Sequence, residues 1–209
     1  RRGDFLPIKT EMKDAPMNYF ITADLAIAEN EKADYSVFVV AGIDQDKIIH
    51  IKDVIRDRLD GRDIVSTFIA LQKQYDPVAI GVEDMQVSKS IGPFLREEMF
   101  KKNTFINLYL LKHGGKDKPT RSKSMQARMR AHGVRFDKDA DWYPILEDEL
   151  LTFPRGRKDD QADAFAYLGL MLDVLIEAPS KQEALEEEYL LELEESGLGD
   201  QGRNSMTGY

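Results

Sequence analysis

Three groups of carboxylates stand at positions where a folded chain has little structural use for charge. Asp24 ends the apolar run Ile21-Thr22-Ala23, Glu83 ends Ala79-Ile80-Gly81-Val82, and Asp159, Asp160 and Asp163 open an otherwise apolar stretch that continues through Tyr167. An acid at the end of a dry strand is costly unless it meets a cation, a metal or water, and strand ends that give way to loops are where catalytic groups collect. Asp84 follows Glu83 directly, but successive strand residues point to opposite faces. Glu83, on the strand itself, is therefore assigned to the site, and Asp84 to a loop or helix cap. Asp160 and Asp163 stand three residues apart and Asp159 and Asp163 four apart, spacings that gather side chains on one helical face and allow them to converge on one ion. Capping and the helix macrodipole account for Asp159 and Asp160 without any chemistry. Asp163 lies past those positions, between Ala162 and Ala164.

These are oxygen-only ligands, the type that magnesium or manganese prefers. Two such ions roughly 4 Å apart can activate a water and stabilise the leaving oxygen of a phosphodiester without a His or Cys nucleophile. Other hydrolytic chemistry is poorly served. There is no cysteine, no Gly-x-Ser-x-Gly turn, and His50, His113 and His132 are scattered. The lack of cysteine also excludes disulfides and thiolate zinc sites.

The formal net charge of -9 argues against a polyanionic partner until its placement is considered. From Glu177 to Tyr209 nine acids face two bases, so the first 176 residues carry only -2. Within them, Lys112 to Arg135 holds eight Lys/Arg against the single acid Asp117, a strip suited to a phosphate backbone. A solvated helix face is the plain alternative. No apolar run approaches the roughly 20 residues that cross a bilayer, and the start of the chain lacks a signal-peptide core, so a soluble intracellular protein is expected.

The elements that must position these carboxylates are legible from periodicity. Residues 19–23, 35–41 and 47–55 read as three strands in a meander, 63–75 as a crossover helix stopped by Asp76-Pro77, and 78–82 as a central strand covered on both faces and paired in parallel. Further on, 91–102 reads as a helix, 105–111 as a fifth strand, 120–132 as a helix capped by Thr120 or Ser122, 143–151 as a helix, and 159–176 as a strongly apolar helix ended by Pro179. The reading is one α/β domain: a central mixed five-stranded sheet, antiparallel meander plus parallel strands, flanked by helices. Residues 1–16 are read as a linker, 17–176 as the domain, and 177–209 as an acidic tail with a frayed helix over 181–195.

In this order, Ile21-Thr22-Ala23-Asp24 with Asp34-Tyr35-Ser36, Ala79-Ile80-Gly81-Val82-Glu83, Lys118-Pro119-Thr120-Arg121-Ser122-Lys123 and Asp159-Asp160-Gln161-Ala162-Asp163-Ala164 resemble the RNase H-like nucleases, and more narrowly the C-terminal nuclease domain of bacteriophage large terminase subunits. The Asp-x-x-Asp-Ala core also resembles the closing motif of Holliday-junction resolvases; the Lys/Thr/Arg segment tips the balance. The resemblance implies an endonuclease that cuts concatemeric viral DNA during packaging in the host cytoplasm, with Asp24 and Glu83 as metal ligands and a third from the Asp159 to Asp163 cluster, Asp160 ranked first. It implies two magnesium or manganese ions, double-stranded DNA as substrate, and the ATPase motor, the portal and the small terminase subunit as partners. Lys118, Arg121, Lys123 and Arg128 are the expected DNA contacts. No Gly-x-x-x-x-Gly-Lys-Ser/Thr loop occurs, since Gly114-Gly115-Lys116 is followed by Asp117, so no ATPase activity is expected of this chain. A resolvase-like nuclease and a noncatalytic adaptor that uses the basic strip for DNA and the acidic tail for a protein are the competing expectations.

Overall fold

A computed structural model describes residues 1–26, 34–83, 91–111, 118–156 and 159–175. Asp84, Lys112, Lys116 and the tail with its expected helix lie outside these residues. The chain divides into two compact units, 1–171 and 172–209; of the second, only the last turn of the final helix is described.

Among the described residues, seven strands form one mixed sheet in the order β1-β7-β4-β3-β2-β5-β6. The expected meander is β2 (Asn18–Asp24), β3 (Ser36–Ile43) and β4 (Ile49–Asp57), paired antiparallel. β3 is buried at all eight positions, as a central strand of Val, Phe and Ala should be. On the other side of β2, β5 (Ala79–Glu83) pairs in parallel and leads to β6 (Leu108–Leu111), also parallel.

The sheet has seven strands where five were expected. β1 (Leu6–Pro7) and β7 (Val134–Phe136) extend it beyond β4 in parallel. At two and three residues they are too short for alternation to register. The first comes from the segment read as a linker, whose Phe5 and Ile8 are buried and whose Phe5 ring lies 5.2 Å from that of Phe136.

α1 (Gly61–Tyr75) begins where the Asp60 carboxylate accepts the amides of Arg62 and Asp63, at 2.8 and 2.9 Å. It ends at Asp76, in the left-handed region at φ 43°, just before Pro77. Its buried stripe of Ile64, Val65, Phe68, Ile69 and Leu71 meets Ile21, Ala23, Phe38, Val40, Ile80 and Val82 from one face of the sheet, together with Leu95 of α2 (Gly92–Lys101). Phe38 and Phe68 meet edge to face at 5.2 Å.

The expected helix over 120–132 is two pieces, α3 (Lys118–Arg121) and α4 (Lys123–Arg130). Ser122 at their junction caps neither by its side chain: its hydroxyl donates to the Pro119 carbonyl at 3.0 Å and accepts from the Gln126 amide at 3.1 Å. α5 (Tyr143–Thr152) and α6 (Asp160–Leu175) follow. Helix α6 lies on the face opposite α1. A Cβ built on Gly81 of β5 would come within 2.8 Å of the Met171 sulfur, and one on Gly169 within 2.8 Å of Met125 Cγ. These two glycines let α6 approach the sheet and α4 closely.

Candidate active site

The strand register brings Asp24 and Glu83 together. β2 and β5 pair in parallel from Phe20↔Ala79 through Ala23↔Val82, and Asp24 and Glu83 are one step further on each strand. Adjacent strands run about 4.8 Å apart. Thr22 and Gly81, two residues earlier, face α6: the Gly81 Cβ would stand 3.2 Å from Thr22 Cγ2, and the Thr22 hydroxyl donates to the Ala164 carbonyl of α6 at 2.7 Å. By the two-residue repeat of a strand, Asp24 and Glu83 face the same way. The row continues across the sheet, because Asp24 pairs with Val37 and Val37 with Arg56. Glu83, Asp24, Val37 and Arg56 thus line one edge of the face covered by α6.

α6 sets a matching stripe over that edge. Asp160, Asp163 and Tyr167 follow each other at three and four residues, one helical face. The Asp160 carboxylate lies 4.0 Å from the Arg56 guanidinium. The Asp163 carboxylate, 8% exposed, lies 3.4 Å from that of Arg121, which also donates to the Tyr167 hydroxyl at 3.2 Å. Burial pushes the Tyr167 hydroxyl up from its ordinary pKa, and the charges of Asp24 and Glu83 push it further up, against the opposing pull of Arg121; Asp163 adds to the rise. A phenol so placed stays protonated and senses Asp24, Glu83 and Asp163 together.

Asp159 precedes α6 and gives its carbonyl to the Asp163 amide at 2.8 Å, the first bond of the helix. The expected convergence of Asp159, Asp160 and Asp163 on a single ion is not what the geometry provides. Asp160 and Asp163 turn to different arginines, and among the described residues no group of three His, Asp or Glu side chains is near enough to enclose one ion. Asp24 and Glu83 end adjacent strands on the same face, and these two could nucleate a cation site.

Of the expected DNA contacts, Lys123 is exposed and Arg128 half-buried, both on α4, and Lys118 opens α3. Arg121 is only 8% exposed and its guanidinium is engaged inward with Asp163 and Tyr167. Sequence reasoning gave no role to four residues that shape this site: Arg56, Tyr35, Tyr167 and Glu149. The Arg56 guanidinium rests 3.6 Å from the Tyr35 ring centroid. Glu149 of α5 is buried and accepts from the Ala162 amide at 2.9 Å and the Gln161 side chain at 2.8 Å. It caps the start of α6 from outside the helix. Its signal was an acid three residues after Leu146 and six after Tyr143, in line with the buried face of its helix.

No protein-family model matches the chain, and no curated protein matches it by sequence. Solved structures do resemble it. The large terminase nuclease of the thermophilic phage G20c, solved with bound magnesium, superposes with a TM-score of 0.54 at 19% identity, covering 79% of this chain and 91% of that one. The P22 large terminase nuclease domain gives 0.54 at 11% identity over 83% and 90%. The HK97 large terminase gives 0.56 at 12% identity over 80% of this chain but 41% of its own. At such identities the likeness is one of fold: the chain has the architecture of phage large terminase nuclease domains.

Proposed function

We propose that the chain is a divalent-metal-dependent DNA endonuclease, the nuclease portion of a phage DNA-packaging terminase. The observation that carries this reading is the position of Asp24 and Glu83, one step past the last paired residues of adjacent parallel strands, on the sheet face where α6 brings Asp163 and Tyr167. Two carboxylates that end adjacent strands, whose backbones run about 4.8 Å apart, on one sheet face repel each other and gain from a shared cation. Their hard oxygens fit magnesium or manganese. Asp24 and Glu83 would hold the ion, with Asp163 or Asp160 as the third carboxylate once its arginine gives way. A bound ion of this kind lowers the pKa of water and offsets charge on a phosphodiester. The likeness to the magnesium-bound G20c nuclease supports the same chemistry.

The chain's own groups have definable tasks. Thr22 ties α6 to β2 two residues before Asp24. Arg121 bonds both Asp163 and Tyr167, and Glu149 fixes the first turn of α6. Arg56, in the row of the carboxylates, and the exposed Lys123 of α4 supply positive charge for the phosphate backbone. Two-ion stoichiometry, cutting of concatemers in the host cytoplasm, and partnership with an ATPase motor, the portal and the small terminase subunit belong to the same proposal. No described helix is long and apolar enough to cross a membrane.

The test is nicking and linearisation of a supercoiled plasmid with manganese, magnesium or EDTA. Cutting that requires the metal and vanishes in a folded Asp24→Ala variant is expected. A wild type that binds DNA but fails to cut it with either metal would instead favour the noncatalytic adaptor.

A further inference from the structure

Where β4 ends, two arginines share one aromatic ring. The Arg56 guanidinium lies 3.6 Å and that of Arg58 4.4 Å from the Tyr35 centroid. Arg56 stands in the row of Asp24 and Glu83; Arg58, two residues on, is exposed. Stacking on a ring fixes the plane of each guanidinium fork. Fewer rotamers are then lost when the forks engage a ligand. Such planar forks match the paired oxygens of a phosphate. With guanidinium already against it, the Tyr35 ring is poorly placed to stack a base, so the cradle fits the backbone.

We propose that Arg56, Tyr35 and Arg58 form a phosphate cradle that guides one DNA strand along the sheet edge toward Asp24 and Glu83. The inference rests on the nuclease reading and adds a contact outside the basic strip of residues 112–135. Arg56 is two strand spacings from Asp24, about 10 Å, which corresponds to the rise of about three nucleotides along one strand. The contact therefore falls a few nucleotides from the bond cut. It carries no base preference.

The experiment measures binding of the full chain to short duplexes of differing sequence in calcium, over a range of salt concentrations, with plasmid cutting followed in parallel. Arg58→Ala is expected to weaken binding roughly tenfold, equally on every duplex, and to flatten the log-affinity against log-salt slope by about 0.9. Arg58→Lys should keep the slope. Tyr35→Ala should keep it too while weakening binding roughly threefold. An unchanged affinity and slope for Arg58→Ala, in a wild type that binds and cuts DNA, overturns the cradle and leaves the nuclease intact. A wild type that fails to cut with any metal, while Arg58→Ala shows the slope loss, refutes the nuclease reading and keeps the phosphate contact.

Discussion

Thr22→Val separates the positioning of α6 from its mere presence. The Thr22 hydroxyl and the Ala164 carbonyl meet at 2.7 Å, and both residues are fully buried. Valine matches threonine in volume but puts a methyl group where the hydroxyl was. A carbon rests against a carbonyl oxygen at about 3.3–3.6 Å, so α6 must withdraw by about 0.6–0.9 Å. Loss of the hydrogen bond costs about 1 kcal/mol, and the displaced packing adds about 1 kcal/mol or more. The withdrawal also exceeds the roughly 0.5 Å within which a catalytic constellation must be held, and a shift near 1 Å can cost a factor of about 100. The expected result is a variant about 2 kcal/mol less stable in urea unfolding, with an initial plasmid-nicking rate about 10- to 100-fold lower. Thr22→Ser keeps the hydroxyl and gives up a methyl contact near Gly81, costing about 1 kcal/mol with the nicking rate nearly unchanged. A folded Thr22→Val protein that nicks at the wild-type rate would refute the reasoning, as would a serine variant no better than the valine one.

Other perturbations probe other parts of the fold. Burial pushes the Asp53 carboxyl up, against a backbone hydrogen bond and the Tyr75 hydroxyl at 3.4 Å. A carboxyl whose folded pKa is raised destabilises the fold when ionised, so this penalty is present above the folded pKa and fades as pH falls toward the unfolded value of about 3.9. Asp53→Asn should therefore raise the melting temperature at pH 7 and give a smaller gain near pH 4; an equal gain at both would contradict this origin. Gly169→Ala improves helix propensity by about 1 kcal/mol, but its Cβ would meet the Met125 backbone nitrogen and Ser124 Cβ at 3.2 Å. Overpacking of about 1–3 kcal/mol should win, and chemical denaturation should show net destabilisation. Arg121→Leu removes the cation beside the buried Asp163 and a donor to the Tyr167 hydroxyl, so unfolding should show a loss of about 3 kcal/mol. Arg121→Lys should recover only part of it, because an ammonium cannot span both partners as a planar fork does.

The candidate site was legible in the sequence to the extent that local pattern governs it. Asp24 and Glu83 announced themselves as charges ending apolar runs, and the meander, the crossover helix and the central parallel strand follow from periods of two and 3.6 residues. What local pattern does not encode is which carboxylate meets which cation. Asp160 and Asp163 share a helical face, yet one turns to Arg56 on β4 and the other to Arg121 on α3, partners distant in sequence. Arg121 looked like a surface phosphate contact because it sits in a basic strip; tertiary packing turned it inward. Glu149 was hidden for a related reason, since its bond to the Ala162 amide depends on how two helices meet. β1 and β7 escaped notice because strands of two and three residues are defined by their partners, and the turn before β7 uses a positive φ at His132 that no side-chain pattern advertises.

The most direct measurement is anomalous diffraction from crystals of the full chain grown with manganese. The expected result is a manganese peak coordinated by Asp24 and Glu83 on the α6 face of the sheet, absent from crystals of Asp24→Asn. Manganese bound elsewhere, or an unaltered peak in the variant, would contradict the assignment of the paired strand ends as the metal site.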